Sequence, residues 1–599
     1  MKYFKFIILY IILFIVSSQA DAQQHNNIPF FLHTVEKGQN LTSIATMYGV
    51  TTYEIIALNP DAEKVIKIGE KIKIPQKKLG KNDILYHTIQ QGETLYKVMN
   101  FYKVSAKAIC EANPGLSADN FQAGKVIVIP TDSVKIQKET VLPTSQTGEY
   151  QKTENTENKQ IIKSKCRDMH QVKRKETLFS ISKLYGLSEK ELLNANPDIA
   201  ARNGKIKKGE YICIPYQNKL QNKIPSEKTP DNKELFTEIE SRVTKYGTVK
   251  IAVLLPFMLD DPSTTETKKM LDYYEGFLMA VDSLKHQGYS YQIYTYDCGS
   301  NNSDIETILL KPEMKSMHII LGPTSNNQIK LVSDFAKQNR IRMIIPFTSK
   351  DTEVFNNPYI YQVNTPQSYL YSEVFDCFVK KFSGSNVIFI DVNNNAEKAD
   401  FIKSMKEALS KAKIRFKTIS INTPKEMITE SLKLSGNNIF IPTSGEYADT
   451  NKIVKMLEMI VDENASYNIL LFGYPEYQAQ SRLYPSFYKL NTYIYTSFFA
   501  NNNNYKTIQF NQKMKKWFNR EQTRSIPRFG MLGFDTGYFF LRGLSIYGNQ
   551  CEKNINKMNI TPYQSFFRFE RVNNWGGFIN KKVVFINFKH NKNIQINEF

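Results

Sequence analysis

Long apolar runs are scarce in this chain of 599 residues. The run Phe6 to Val16 is too short for a comfortable membrane span, and no later stretch is apolar for long enough to cross a bilayer, so no helical membrane domain is expected. Catalytic signatures are missing as well: there is no Gly-x-Ser-x-Gly elbow, no His-Glu-x-x-His helix and no phosphate-binding glycine loop. The six cysteines show no zinc spacing and no arrangement that suggests a Cys-His dyad. Only one of the seven histidines, His318, falls near a strand expected to border a cleft. The expectation is a protein without enzymatic activity, without a metal and without a cofactor. Acidic residues are also short, with Lys+Arg 78 against Asp+Glu 58 and a formal charge of +20. Such a balance favours anionic partners.

The first residues read as an export signal. Lys2 and Lys5 precede the apolar run, and Ala20-Asp21-Ala22 offers a small-residue cleavage site, so residues 1–22 are expected to be removed. Retention as an anchor is the alternative. The first cysteine is Cys110, too distant for a lipoprotein anchor. An exported basic protein is not expected to meet nucleic acid; anionic envelope polymers and lipid head groups suit it better. In an oxidising compartment six cysteines could form three disulfides.

What is present is repetition. The phrase His33-Thr34-Val35-Glu36-Lys37-Gly38-Gln39-Asn40-Leu41 closes at Ile74-Pro75, and His87-Thr88-Ile89-Gln90-Gln91-Gly92-Glu93-Thr94-Leu95 closes at Ile129-Pro130. A third copy runs from His170 through Glu176-Thr177-Leu178 to Ile214-Pro215. Asn59-Pro60, Asn113-Pro114 and Asn196-Pro197 sit at matching offsets. In each copy a short β-branched strand leads to a polar turn. Helical spacing follows (Leu41, Ile44, Ala45, Tyr48 in the first copy), then a second short helix and a final strand. Each unit is therefore βααβ, about 45 residues long and near the lower size limit for independent folding.

These residues resemble the LysM family in order, spacing and residue class. The resemblance implies binding of N-acetylglucosamine-containing glycans, peptidoglycan above all, in a shallow groove between the loop after the first strand and the loop after the second helix. Carried onto this sequence, the glycan-binding candidates are Gly38, Gln39, Asn40, Asn59 and Pro60 in the first copy. They are Gly92, Glu93, Thr94, Asn113 and Pro114 in the second, and Glu176, Thr177, Asn196 and Pro197 in the third. Lys175 replaces the turn glycine of the third copy, and Cys166 and Cys213 lie in its two strands, where a disulfide could join them.

The domain limits read from these patterns are 31–76, 85–131 and 168–216 for the repeats. Residues 132–167 and 217–247 are expected as linkers. Their polar stretches, Thr131 to Lys165 and Gln217 to Asp231, cannot bury enough surface to offset chain entropy. Weak modules on such tethers would gain avidity from effective concentration.

From Thr248 the texture changes to alternating strands and helices, which predicts parallel sheets covered on both faces. About 350 residues with two such runs suggest two lobes. The tail from Phe567 to Phe588 reads as a β-hairpin, with Trp575-Gly576-Gly577 in the turn. The phrases Lys250–Pro256, Tyr274-Glu275-Gly276-Phe277, Ile320–Ser325, Ile345–Ser349, Pro358–Gln362 and Gly533–Tyr538 together resemble the type I periplasmic-binding fold, in its branched-chain amino-acid receptor branch. That resemblance implies a ligand cleft between lobes. Ser325, Thr348 and Ser349 would hold a carboxylate there, and Glu476 an ammonium group. The same resemblance also admits a protein-docking role. The expected whole is three LysM-like modules followed by a two-lobed α/β domain at residues 248–599. It would be periplasmic or wall-associated, hold peptidoglycan, and sense a small amino-acid-like ligand or dock a wall-synthesis enzyme. A transporter's solute receptor and a wall hydrolase are the alternatives.

Overall fold

The computed structural model describes residues 29–63, 66–76, 84–130, 166–172, 176–185, 187–200, 202, 204–215, 230–239, 244–259, 264–392 and 398–599. The export signal, the polar stretch through residue 165, the stretch 216–229 and Lys175 lie outside them. The chain divides into two compact units, residues 137–230 and the remainder. Among the described residues no helix is long and apolar enough to cross a membrane.

Each repeat is an antiparallel strand pair with helices between. The pairs are β1 (Phe30–Thr34) with β2 (Lys71–Pro75), β3 (Leu85–Thr88) with β4 (Val126–Ile129), and β5 (Cys166–Gln171) with β6 (Tyr211–Pro215). Polar caps start the helices: Asn40, Thr94 and Thr177 accept from backbone N–H groups three residues on, removing one orphan donor each. The first helix of repeat 1 ends at Gly49 in the left-handed region, and in repeat 2 Lys103 takes that conformation at φ 57°.

The C-terminal domain holds two seven-stranded sheets. In the first, β7 (Val249–Leu255), β8 (Tyr291–Asp297), β9 (Ile319–Leu321), β10 (Arg342–Ile345) and β11 (Ile360–Gln362) run parallel in the order β8-β7-β9-β10-β11. The second repeats that order with β12 (Asn386–Asp391), β13 (Phe416–Ser420), β14 (Asn437–Pro442), β15 (Asn468–Gly473) and β16 (Tyr493–Thr496), as β13-β12-β14-β15-β16. Strand order reverses beside β7 and beside β12, so each lobe has a topological switch point. The chain passes between lobes after β11 and again after β16.

The tail differs from the sequence expectation. β17 (Phe569–Arg571) and β18 (Phe578–Asn580) form a hairpin on the first sheet, with β18 parallel to β11. β19 (Val584–Phe588) and β20 (Ile594–Glu598) then extend the second sheet antiparallel to β16. The apparent single hairpin is thus split by a third crossing of the chain, at residues 581–583. Period-two alternation marks strands but does not say which sheet receives them.

Helices Thr265–Lys285 and Phe529–Tyr547 pack backbone to backbone on the first lobe. A Cβ at Gly533 would stand 1.9 Å from the Tyr273 carbonyl oxygen, and one at Gly276 would stand 1.8 Å from that of Gly530. Only glycine admits such an approach.

Repeats 1 and 2 are not tethered beads. They pack on each other and on the first lobe through an aromatic joint. The Trp575 ring, in the β17–β18 turn, lies 5.9 Å from Tyr48 and 5.3 Å from Tyr86, and Phe31 lies 5.0 Å from Tyr86. Gly115 N–H donates to the Asn574 carbonyl at 2.7 Å, and Asn574 Nδ2 donates to the Val126 carbonyl at 2.9 Å. Helix Asn232–Ile239 lies inside the expected linker 217–247 because Leu235 and Phe236 find an apolar surface on repeat 2.

Cysteine pairing also departs from expectation. Cys110, Cys298, Cys377 and Cys551 are free. They sit on separate elements, and burial pushes the Cys110 and Cys377 thiols up to about 11, away from the reactive thiolate range. Cys213 is disulfide-bonded.

Replacing Gly533 with Ala must separate the two helices or strain them. A loss of roughly 1–3 kcal/mol is expected from such overpacking. An unchanged denaturant midpoint would contradict the backbone contact.

Candidate functional site

The opening histidine of each repeat is the centre of a latch. His33 Nδ1 lies 2.8 Å from the Tyr48 hydroxyl and Nε2 lies 2.8 Å from Gln39 Oε1. His87 meets Tyr102 at 3.0 Å and Glu93 at 2.8 Å, and His170 meets Tyr185 at 3.1 Å and Glu176 at 2.8 Å. A carboxylate or amide oxygen can only accept, so Nε2 carries a proton, and in a neutral imidazole Nδ1 accepts from the tyrosine. Gln39 Oε1 and Glu93 Oε2 also accept the N–H of Glu36 and Gln90, each at 2.8 Å, which closes the loop. The signal was legible in the sequence as a tyrosine fifteen residues and a Gln or Glu six residues after each histidine. Spacing alone did not say that the groups would meet.

The Asn-Pro asparagines are committed in the same way. Asn113 Nδ2 donates to Ile109 and Val128 carbonyls at 2.7 Å, and its Oδ1 accepts from Val128 N–H at 2.8 Å. Asn59 and Asn196 make the same bonds to Lys73 and Cys213. With Asn40, Thr94 and Thr177 acting as helix caps, the polar candidates largely build the groove walls. Pro60 and Pro197 start short helical turns, and Pro114 leads into the loop at Gly115. Gly38 and Gly92 hold φ of 83° and 74°, which leaves backbone groups to line the loop.

The Gly38 loop touches the C-terminal domain. A Cβ at Gly38 would stand 3.0 Å from the Ser372 hydroxyl and 3.3 Å from Lys581 Nζ. Lys37 beside it pairs with Asp376 and Glu373.

In the C-terminal domain, Ser325 follows β9 and caps helix Asn326–Asn339 without a side-chain cap bond. Thr348 and Ser349 follow β10, with the Thr348 hydroxyl accepting from Lys350 N–H at 3.1 Å. Glu476 follows β15 in the second lobe and borders a pocket of about 610 Å³ lined by Gly445, Glu446, Tyr447, Gln480 and Arg482. The pocket sits at the strand C-termini, near the switch point beside β12. Glu476 is not bare. Lys398 pairs with its Oε1, and the same ammonium lies 4.8 Å from the centre of the Tyr474 ring. The sequence reading missed Lys398, because it lies in the distant segment between β12 and β13. His318 sits just before β9, at the N-terminal end of that strand in the first lobe. There it stacks on Tyr246 at 3.9 Å and accepts from Lys250 N–H at 3.0 Å.

Burial holds the His33 imidazole below the ordinary histidine range, opposed by the Gln39 hydrogen bond and the Glu36 charge. The unfolded chain then protonates first as pH falls. The contribution of this latch is complete above about pH 6.5 and is lost as acid passes through the folded value. Gln39→Glu supplies the carboxylate that repeats 2 and 3 already have. Melts at about pH 7.5 and about pH 5.5 should therefore show a smaller acid loss in the variant than in the wild type. Equal losses would refute the latch account.

Two curated relatives overlap the chain. A putative sporulation-specific glycosylase of Bacillus subtilis is 32% identical over 17% of this chain and 23% of its own length. A probable N-acetylmuramoyl-L-alanine amidase of Haemophilus influenzae is 26% identical over 30% of this chain and 32% of its own. The chain thus spans about a quarter to a third of these relatives. Among solved structures, a putative branched-chain amino acid ABC transporter protein of Rhodospirillum rubrum aligns at 12% identity and TM-score 0.39, over 59% of this chain and 100% of that one. A branched-chain amino acid ABC transporter periplasmic ligand-binding protein of Burkholderia xenovorans aligns at 10% identity and TM-score 0.38, over 58% and 94%. The family model of the LysM domain matches residues 33–75, 87–130 and 170–215, so the three latched βααβ repeats are LysM domains.

Proposed function

We propose that this is a non-catalytic envelope protein that holds peptidoglycan through its LysM domains and docks a partner protein of wall synthesis through its two-lobed domain. The observation that carries this reading is the threefold LysM unit, each copy with the same latch and groove walls. The glycan candidates remain Gly38, Gln39 and Asn40 with their counterparts in the other repeats, and the loops after Pro60, Pro114 and Pro197. The N-acetylmuramoyl unit in one relative's name is itself a peptidoglycan sugar, which supports a wall setting.

The ion pair at Glu476 favours docking over solute reception. An amino-acid ammonium would have to displace Lys398 from both the carboxylate and the Tyr474 ring. Removing one partner of such a pair leaves an uncompensated charge. Ser325, Thr348 and Ser349 remain the candidates for a carboxylate on the opposite lobe.

Full-length protein is expected to sediment with insoluble peptidoglycan, and retention in the supernatant would refute the anchoring role. In thermal-shift screening against amino acids, the wild type should show no stabilisation. Lys398→Ala, which bares Glu476, should gain one. A clear shift in the wild type would favour the receptor reading, and release of soluble fragments from sacculi would favour a hydrolase.

A further inference from the structure

Helix Asn232–Ile239 has eight residues, a length that is marginal alone in water. What holds it is repeat 2. Leu235 and Phe236 are buried in the same cluster as Leu95, Leu116 and Phe121, and the Phe236 ring lies 6.3 Å from Phe121. At its start Asn232 Oδ1 accepts the Leu95 N–H at 2.9 Å. Leu95 ends the loop after the first strand of the repeat, and Leu116 and Phe121 belong to the loop after its second helix. The helix therefore packs beside both helices of the repeat and reaches one end of each loop that borders the groove, at Leu95 and at Phe121.

The contact has the form of an internal ligand. An amide oxygen takes an orphan N–H at a helix start, and two apolar side chains cover the surface beside it. In repeat 1 the corresponding loop meets Ser372 and Lys581 instead, so this helix is not a general part of the module. It joins repeat 2 to the C-terminal domain, and the polar stretch Gln217 to Asp231 precedes it in sequence.

We infer that helix Asn232–Ile239 is an autoinhibitory cover of the repeat 2 groove, displaced when a glycan chain of N-acetylglucosamine type binds there. The inference rests on the glycan reading of the LysM domains. Binding at repeat 2 is weakened by the fraction of time the cover is in place, and glycan binding loosens the helix in return.

The test uses full-length protein, the N-acetylglucosamine tetrasaccharide and insoluble peptidoglycan. Leu235→Ala/Phe236→Ala should tighten tetrasaccharide binding about tenfold, and Asn232→Ala, which removes one hydrogen bond, about threefold. In the wild type, saturating tetrasaccharide should reduce hydrogen-exchange protection of residues 232–239. The inference is overturned if wild type binds, the variants stay folded and bind no tighter, and protection of the helix is unchanged by sugar. Binding by neither wild type nor variants, to sugar or to sacculi, would instead remove the glycan reading and this inference with it.

Discussion

A module of about 45 residues buries too little apolar surface to lie far from the edge of stability, and each repeat meets that constraint differently. Repeat 1 gains a face from the C-terminal domain, where Tyr48 meets Trp575, and from repeat 2, where Phe31 and Tyr48 meet Tyr86. Repeat 2 shares that joint and adds Leu235 and Phe236. Repeat 3, in a compact unit of its own, contains the disulfide-bonded Cys213 in its closing strand. The His–Tyr latch and the Asn bridge recur in all three, because they satisfy buried polar groups that a small core cannot leave unpaired.

That constraint has a consequence for binding. Besides the aromatic joint, the Gly38 loop of repeat 1 lies against Ser372 and Lys581, and Leu95 and Phe121 of repeat 2 lie against helix Asn232–Ile239. In the two-lobed domain the same theme appears as charge rather than apolar area, with Lys398 already seated on Glu476. Both halves of the molecule hold part of their candidate surfaces against themselves.

Much of this was legible in the sequence. The βααβ repeats followed from helical spacing between β-branched strands, and the two-lobed domain followed from alternating apolar runs such as Val249–Leu255 and Asn468–Gly473. The short strands Ile360–Gln362 and Tyr493–Thr496 were not, since three or four residues carry no resolvable period. The candidate site was legible by residue type but not by role. Gln39, Glu93 and Glu176 read as polar loop residues open to sugar, and the sequence did not show that they also close the histidine latches. The glycines of helix Phe529–Tyr547 are what let that helix touch Tyr273, a role that spacing did not show.

Local order was determined by the sequence itself: three copies of one module, the caps that start their helices, and the strand–helix alternation of the second half. These depend on periodicity and on contacts a few residues apart, which the chain states directly. Tertiary structure alone decided that two copies fold onto the C-terminal domain, that the tail divides between two sheets, that Lys398 reaches Glu476, and that a helix within a polar stretch settles on repeat 2. Each of those joins residues far apart in sequence, where the deciding quantity is complementary surface and charge rather than spacing.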